Sequence, residues 1–242
     1  MIQNHAAFLH ECEDGVINCA WFGGSLEGKS DIAIRASVFL PGGGEWGAVA
    51  TLSHDPDHSE QNPVLSAAPD GRLLLLHTSQ PAGNQDEWRI RMAKVNRDGT
   101  KLSAEAGKYL DLSRGCFIRA PLQVLGDARW LLPIFRCVQR PSQKWTGSQN
   151  VAAIGGSKGY GNIWAYEEIS GCVGSVHMCP VALDGSLAAF YRRRQADHVH
   201  RSESVDGGLI WTARAATDVP NNNSSVAAIR LASGEIAMIC TL

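Results

Sequence analysis

Residues 64–76 read Val-Leu-Ser-Ala-Ala-Pro-Asp-Gly-Arg-Leu-Leu-Leu-Leu, and they contain the pattern that recurs along the rest of the chain. Apolar segments flank an Asp-Gly pair, which tolerates the positive φ angles that a tight hairpin turn needs. The stretch therefore predicts a β-hairpin that turns at Asp70-Gly71. The leucine run after the turn has no polar face, which indicates a strand covered on both sides.

The same hairpin unit recurs along the chain. Its other turns fall at Asp14-Gly15, Gly126-Asp127, Asp184-Gly185 and Ser233-Gly234. The turns start at positions 14, 70, 126, 184 and 233, so successive copies lie 56, 56, 58 and 49 residues apart. One period holds the hairpin and about two further strands, which is one four-stranded blade of a β-propeller. We predict an all-β propeller of about five blades, with a β-sandwich as the alternative.

A second type of turn supports the repeat. Residues 204–211, Ser-Val-Asp-Gly-Gly-Leu-Ile-Trp, fit the frame S-x-D-x-G-x-x-W, and residues 157–164 fit it with Gly in place of Asp. In such a turn the Asp caps backbone amides, the Gly supplies positive φ, and the Trp packs between sheets. The motif is therefore predicted to be structural and not catalytic.

Composition narrows the class of protein. The 242 residues carry a net charge of −2 without a basic stripe, which argues against a nucleic-acid partner. The seven cysteines form no C-x-x-C pair and no zinc spacing, so free thiols in a reducing compartment are expected. The N-terminus lacks a signal-peptide pattern, and no apolar run reaches membrane-spanning length. We expect a cytoplasmic protein with no membrane partner, no metal and no cofactor.

The eight-residue frame is the Asp box, and the sequence resembles the Asp-box (BNR-repeat) sialidase superfamily. The similarity is closer to its bacterial predicted-neuraminidase branch, and it is carried by residues 21–32, 61–65, 130–133, 201–208 and 219–225. The resemblance implies a six-bladed propeller with a site on its axis. It also implies a further blade after residues 221–225, which bears the nucleophilic Tyr in sialidases. On this basis residues 1–242 are expected to be a single domain, incomplete at the C-terminus and at the N-terminus. Open strand edges would then favour self-association.

The resemblance also implies a set of site residues. Sialidases hold the carboxylate of sialic acid with three arginines, and they use an acid/base carboxylate and a Tyr activated by Glu. Arg192 matches one arginine, and strand alternation places Arg194 on the same face. Glu27 and Asp31 fall where the acid/base carboxylate belongs, with loop capping as the alternative role for Asp31. His177 stands near the place of the activating Glu, either as an acid/base or as a packed side chain.

Other candidates are carried over less directly. His5 lies where the family has its first arginine, and Arg119 is a substitute for the third, which the further blade would supply. The amides of Asn62 and Asn222, at ends of inner strands, suit sugar hydroxyls but can also cap turns. We predict a hydrolase of the exo-α-sialidase type that acts on terminal acidic sugars. A uronate lyase on the same fold is one alternative, and an inactive or carbohydrate-binding propeller is the other.

Overall fold

The structure is a computed structural model, and it describes residues 3–81, 87–137, 148–155, 164–169 and 171–241. Only the backbone is described for 148–155 and 164–168, and residues 157–163 of the second Asp-box copy lie outside the described residues. The described part consists of strands and turns without an α-helix, and no helix in it is long and apolar enough to cross a membrane. The chain forms two compact units, Met1–Ile118 (unit 1) and Arg119–Leu242 (unit 2).

Unit 1 contains two antiparallel sheets. Its strands are β1 (Gln3–Glu11), β2 (Ile17–Gly24), β3 (Ala33–Phe39), β4 (Ala50–Ser53), β5 (His58–Ala67), β6 (Leu73–Pro81), β7 (Arg89–Asp98), β8 (Lys101–Ala104), β9 (Lys108–Tyr109) and β10 (Cys116–Ile118). The first sheet has the order β1-β2-β3-β4, and the second has the order β5-β6-β7-β8 with β9 beside β7. Each sheet is a meander of sequential strands, which is the topology of a propeller blade.

Unit 2 repeats this plan. Its strands are β11 (Gln123–Val124), β12 (Trp130–Cys137), β13 (Ser148–Gly155), β14 (Trp164–Glu168), β15 (Ser175–Leu183), β16 (Ser186–Arg193), β17 (His198–Ser204), β18 (Ala215–Pro220), β19 (Ala227–Arg230) and β20 (Ile236–Ile239). Strands β11 to β14 pair in chain order, and so do β15 to β18. The pair β19-β20 forms a two-stranded sheet.

All five predicted hairpins are present, but most of their turns are one residue longer than a two-residue turn. In the first copy, the amide of Cys12 donates to the carbonyl of Val16, and the amide of Gly15 donates back to Cys12. The second, third and fifth copies repeat this pattern. Such a three-residue loop needs positive φ only at its last residue. Only the fourth copy, where Leu183 pairs with Ser186, turns through two residues.

One turn carries an avoidable strain. The last loop residue is glycine in three of the long turns, whereas the third copy has Ala128 at φ 64°. A residue with a Cβ in the left-handed region costs about 1 kcal/mol. We therefore expect Ala128→Gly to raise the free energy of unfolding by about 0.5–1 kcal/mol, measured by urea denaturation. The control is Ala232→Gly in the fifth loop, because Ala232 does not have positive φ and should lose stability; a loss in both variants would contradict the expectation.

The core of each unit lies between its sheets. Leu74, Leu75 and Leu76 are fully buried, as the continuous apolar run predicts for a strand covered on both sides. In unit 1 both sheets contribute to one apolar cluster, which includes Phe22 and Leu65. In unit 2 the sheet β15–β18 and the β19-β20 hairpin share a second cluster. All seven cysteines are free thiols.

The Asp box at residues 204–211 has the predicted structural role. One carboxylate oxygen of Asp206 accepts hydrogen bonds from the Ser204 hydroxyl (2.8 Å) and from the amides of Leu209 (3.0 Å) and Ile210 (2.9 Å). Gly208 has φ 87°, and Trp211 is buried with its indole N–H donating to the Gly208 carbonyl. The side chain of Asp206 thus holds the turn that seats the tryptophan.

We expect Asp206→Ala to lower the free energy of unfolding by about 1–2 kcal/mol at neutral pH, because two backbone amides lose their acceptor. Hydrogen bonds, first from the Ile210 amide, hold the pKa of Asp206 below 3.8. The stabilisation should therefore be present above pH 3.8 and should disappear as the pH falls through the lowered pKa. Denaturation curves of both proteins across this range test the claim, with the exposed Asp218→Ala as control. A difference that does not depend on pH would contradict the assigned role.

Candidate functional site

The predicted residues of the inner strands share a backbone distortion. In β1, β5 and β15, the register with the next strand shifts, and one non-glycine residue adopts positive φ: Ala6 (57°), Asn62 (51°) and His177 (56°). Such bulges re-aim side chains and occur often beside functional sites. The three strands are equivalent in the repeat, so the fold presents a side chain in the same way from several copies. Asn62 and His177 are themselves the positive-φ residues of their bulges, whereas His5 immediately precedes Ala6 and is still paired with Phe22.

In unit 2, the bulge brings His177 against Arg192. Val176 pairs with Arg192 across the sheet, which places the next side chain, His177, beside the guanidinium. His177 Nδ1 lies 3.5 Å from Arg192 Nη1 and 3.1 Å from the hydroxyl of Ser225. The imidazole also packs at 5.1 Å, centroid to centroid, on the ring of Phe135.

The surroundings of this pair are strongly cationic. Burial, followed by the charges of Arg192, Arg119 and Arg194, holds the pKa of His177 well below 6.5. Burial and then the charge of Arg192 lower the pKa of Arg119 to about 10. Burial and then Arg194 lower the pKa of Arg192 as well. Three predicted arginines and His177 therefore form one group in unit 2, which we call the arginine cluster. Its mutual repulsion would be relieved by a bound anion.

Arg193, which lies between Arg192 and Arg194 in the sequence, has a separate role. The guanidinium of Arg193 pairs with Asp197, with Nη2 3.2 Å from the carboxylate. Arg193 is thus neutralised within the protein, whereas Arg192 is charged beside other arginines. This agrees with the predicted alternation of Arg192 and Arg193 along the strand.

The Asn-rich loop contacts the cluster through residues other than the predicted Asn222. Asn222 is exposed, and its backbone amide donates to Thr241. The next residue, Asn223, has φ 65°, and its side-chain oxygen accepts a 2.8 Å hydrogen bond from Arg192 Nε. Ser225 reaches His177. The signal in the sequence that could have identified Asn223 is the run of three asparagines, because asparagine tolerates the left-handed region.

In unit 1, Asp31 closes the loop that carries Glu27. The Asp31 carboxylate accepts hydrogen bonds from the amide and the hydroxyl of Ser25, both 2.9 Å long. The Ser25 hydrogen bonds lower the pKa of Asp31 below 3.8. A general acid needs a raised pKa. The geometry therefore favours loop capping, the alternative role predicted for Asp31, and leaves Glu27 as the candidate acid.

Glu27 is exposed, but its position is fixed by a buried amide. Its backbone N–H donates to Gln3 Oε1 at 3.0 Å. In the amide orientation that satisfies its neighbours, Gln61 donates to Glu27 Oε1 at 3.1 Å and accepts from the Gly28 amide and the Ser59 hydroxyl. Gln61 is only 1% exposed, and sequence reasoning missed it although it precedes the predicted Asn62.

The other unit 1 candidates make simpler contacts. Asn62 donates through its side chain to Thr78 Oγ1 at 3.2 Å. His5 is exposed and stacks on Phe22, with ring centroids 5.5 Å apart and planes 14° from parallel. His5 also lines a cavity of about 600 Å³ with Trp21 and Trp46. The stacking agrees with a packing role for His5 and leaves the other face of its ring available.

A second polar cluster in unit 1 is centred on two buried side chains, Glu60 and His77. Glu60 is fully buried and accepts hydrogen bonds from Ser53 Oγ (2.5 Å) and Arg91 Nη1 (3.2 Å), while the buried His77 Nδ1 lies 3.1 Å away. Burial is the main reason that the pKa of His77 lies below 6.5, which favours the neutral imidazole, and Nδ1–H is the group that can donate to the Glu60 carboxylate. Both carboxylate oxygens of Glu60 face donors of the protein itself, which indicates a structural role for the cluster. In the described ranges of the chain, no three His, Cys, Asp or Glu side chains lie close enough together to hold a metal ion.

Comparisons with solved structures place the fold among sialidases. The Hadza microbial sialidase Hz136 aligns with a TM-score of 0.76 at 12% identity, over 97% of this chain and 52% of its own. Trypanosoma rangeli sialidase in complex with sialic acid aligns at 0.76 and 11% identity, over 98% and 43%. A Dyadobacter fermentans protein of unknown function aligns at 0.79 and 15% identity, over 97% and 74%. The chain thus spans about half the length, or less, of the solved sialidases that it matches.

Sequence comparison identifies the family. A search of curated proteins found no match. The family model described as BNR repeat-like domain matches residues 15–242, which is nearly the whole chain. The repeated hairpins and the intact Asp box agree with that match. The chain belongs to the BNR repeat-like domain family of the Asp-box sialidase superfamily, and its fold is the sialidase-like β-propeller.

Proposed function

We propose that the protein is a sialidase-type glycoside hydrolase that binds the carboxylate of a terminal acidic sugar in the arginine cluster. The observation that carries the proposal is the grouping of Arg119, Arg192 and Arg194 around His177. Guanidinium groups bind carboxylates in bidentate fashion, and burial strengthens the interaction. A carboxylate in the cluster would offset the repulsion that lowers the pKa values of Arg119 and Arg192.

Glu27 is the residue that we propose as the general acid. Glycosidases of this type protonate the leaving oxygen from a carboxylic acid. Gln61 holds one carboxylate oxygen of Glu27, so the other is available to a substrate. Glu27→Gln should leave sugar binding intact and remove turnover, because the amide cannot transfer the proton.

The test is a paired measurement on the full chain. Hydrolysis of a fluorogenic sialoside reports turnover, and calorimetric titration with sialic acid reports binding. The proposal expects both in the wild type and only binding in Glu27→Gln. Sialic acid binding without hydrolysis would overturn the hydrolase part, and the absence of both would overturn the whole proposal.

A sugar-binding propeller without turnover is the second candidate, and the neutral His177 favours it. A sialidase needs a base to activate its nucleophile, and an imidazole with a strongly lowered pKa is a weak base. Tyr191 offers no substitute, because burial raises the pKa of this hydroxyl, which lies 2.6 Å from the Ser202 hydroxyl. A uronate lyase would be recognised by an unsaturated product that absorbs in the ultraviolet.

A further inference from the structure

The first sheet of unit 1 has a cavity on the face that points away from the core. Phe22 on β2 belongs to the apolar cluster of the unit, so its neighbour Trp21 faces the opposite side of the sheet. Asn4 pairs with Gly23 across β1 and β2 and therefore shares the face of Trp21. The cavity of about 600 Å³ lies on this face, with Asn4, Trp21 and Trp46 among its lining residues. Its volume is within the range of about 300–1,000 Å³ that small-molecule sites occupy.

The two tryptophans of this cavity are held by contacts within the protein. The indole N–H of Trp21 donates to Asn4 Oδ1 at 2.9 Å. Trp46 pairs with Phe39 as an isolated β-bridge, and their ring centroids lie 5.5 Å apart. Trp46 is nevertheless 49% exposed, and Trp21 is partly exposed. The indoles therefore offer an accessible aromatic surface whose position is set before a ligand arrives.

The chemistry of the lining restricts the class of ligand. No Asp, Glu, Lys or Arg is among the described residues that line the cavity, so a charged ligand would find no counter-charge there. The oxygen of the Asn4 amide accepts from Trp21, and its NH₂ group donates to no group in the part of the chain that the structure describes. A purely apolar ligand could not use this donor. A sugar ring has an apolar C–H face for an indole and hydroxyl oxygens for an amide.

We propose that this cavity is a second carbohydrate site, which binds a neutral hexopyranose unit by stacking on Trp21 and Trp46 and by a hydrogen bond from the Asn4 amide. The inference concerns unit 1 and does not depend on the function proposed for the arginine cluster. The two sites differ in chemistry, because the lining of the cavity has no guanidinium group for a carboxylate. The ligand that fits the cavity is an uncharged sugar of an oligosaccharide.

NMR of the indole N–H groups of the full chain tests the site without depending on activity. The chain has seven tryptophans, and the variants Trp21→Phe and Trp46→Phe identify the two signals of interest. Lactose, a neutral disaccharide, should shift both signals in a saturable manner and leave those of the buried Trp88 and Trp211 in place. Hexan-1-ol serves as the apolar probe and should not shift them. The absence of shifts with lactose, or equal shifts with both probes, would overturn the proposal. Shifts that follow protein concentration instead of lactose would also overturn it, since a second copy of the chain would then cover this face.

Variants at position 46 test the stacking. Trp46→Ala should weaken lactose binding by about tenfold or more, whereas Trp46→Phe retains an aromatic ring and should lose about threefold. The matched control is Val205→Ala, because Val205 is 81% exposed in unit 2 and lies outside the cavity lining. The affinity of Val205→Ala for lactose should equal that of the wild type, and far-UV circular dichroism checks that each variant is folded. Wild-type affinity in a folded Trp46→Ala, or the same loss in Val205→Ala, would contradict the assigned site.

Discussion

Replacing Arg192 with alanine is expected to weaken sialic acid binding by the full chain about a hundredfold or more. Arg192 is the arginine that is held on several sides, by Asn223 through Nε and by His177 near Nη1. This arrangement fixes the guanidinium plane before a ligand arrives, so the N–H groups that face neither Asn223 nor His177 are pre-organised for a carboxylate. Removal of the side chain deletes both hydrogen bonds to the ligand and leaves Asn223 without its partner. Calorimetric titration at low salt measures the loss.

Arg192→Lys separates charge from geometry. Lysine keeps the positive charge but cannot form the bidentate contact or reach Asn223 in the same way, so about a tenfold loss is expected. The matched control is Arg230→Lys, since Arg230 pairs with Asp184 at 2.6 Å on the surface of the same unit. The affinity of Arg230→Lys for sialic acid should equal that of the wild type. Equal affinities in Arg192→Ala and the wild type would show that the cluster is not the carboxylate site.

The fold could be predicted from the sequence because its signals are local. Each hairpin is marked in the sequence by a turn that contains Asp or Gly. The second type of turn, the Asp box with Asp206 and Trp211, is complete within eight residues. The length of each turn was harder to predict from the sequence, because Asp-Gly fits both a two-residue turn and a three-residue loop. What separates the two is the pairing of residues on either side, such as Cys12 with Val16, and several registers are compatible with the same pattern.

The candidate site was only partly predictable. Arg192 and His177 could be located from the repeat, because equivalent strands end at equivalent places. The bulge at Ala6, Asn62 and His177 could not be predicted from the sequence, since no residue type at these positions requires positive φ. Asn223 was missed in favour of its neighbour Asn222 for the same reason: one change of backbone conformation decides which of two adjacent amides faces Arg192.

Buried polar residues were the least predictable part. A glutamate in a strand would be assigned to the surface, because carboxylates are rarely buried unless they are paired. Glu60 is buried nevertheless, since Ser53, His77 and Arg91 come from three other strands, β4, β6 and β7. Only the assembled sheet brings these donors together.

Glu60→Gln is expected to lower the free energy of unfolding by about 3–5 kcal/mol, which is the usual cost of breaking a buried ion pair. The carboxylate receives donors on both oxygens, from Arg91 on one and from Ser53 and His77 on the other. A glutamine has one NH₂ group, so in either orientation it turns donors towards a donor. Arg91 would also keep a largely buried charge without its main partner.

Guanidinium denaturation followed by far-UV circular dichroism measures the change, with Glu105→Gln as the matched control. Glu105 pairs with Lys94 at 3.3 Å in the same unit, but it is 55% exposed, and removal of its charge should cost less than about 1 kcal/mol. Both variants remove one negative charge, so any general effect of net charge cancels between them. A loss of similar size in the two variants would show that the Glu60 cluster is solvated and does not stabilise unit 1. A large loss in Glu60→Gln alone would show that stability depends on the burial of this network.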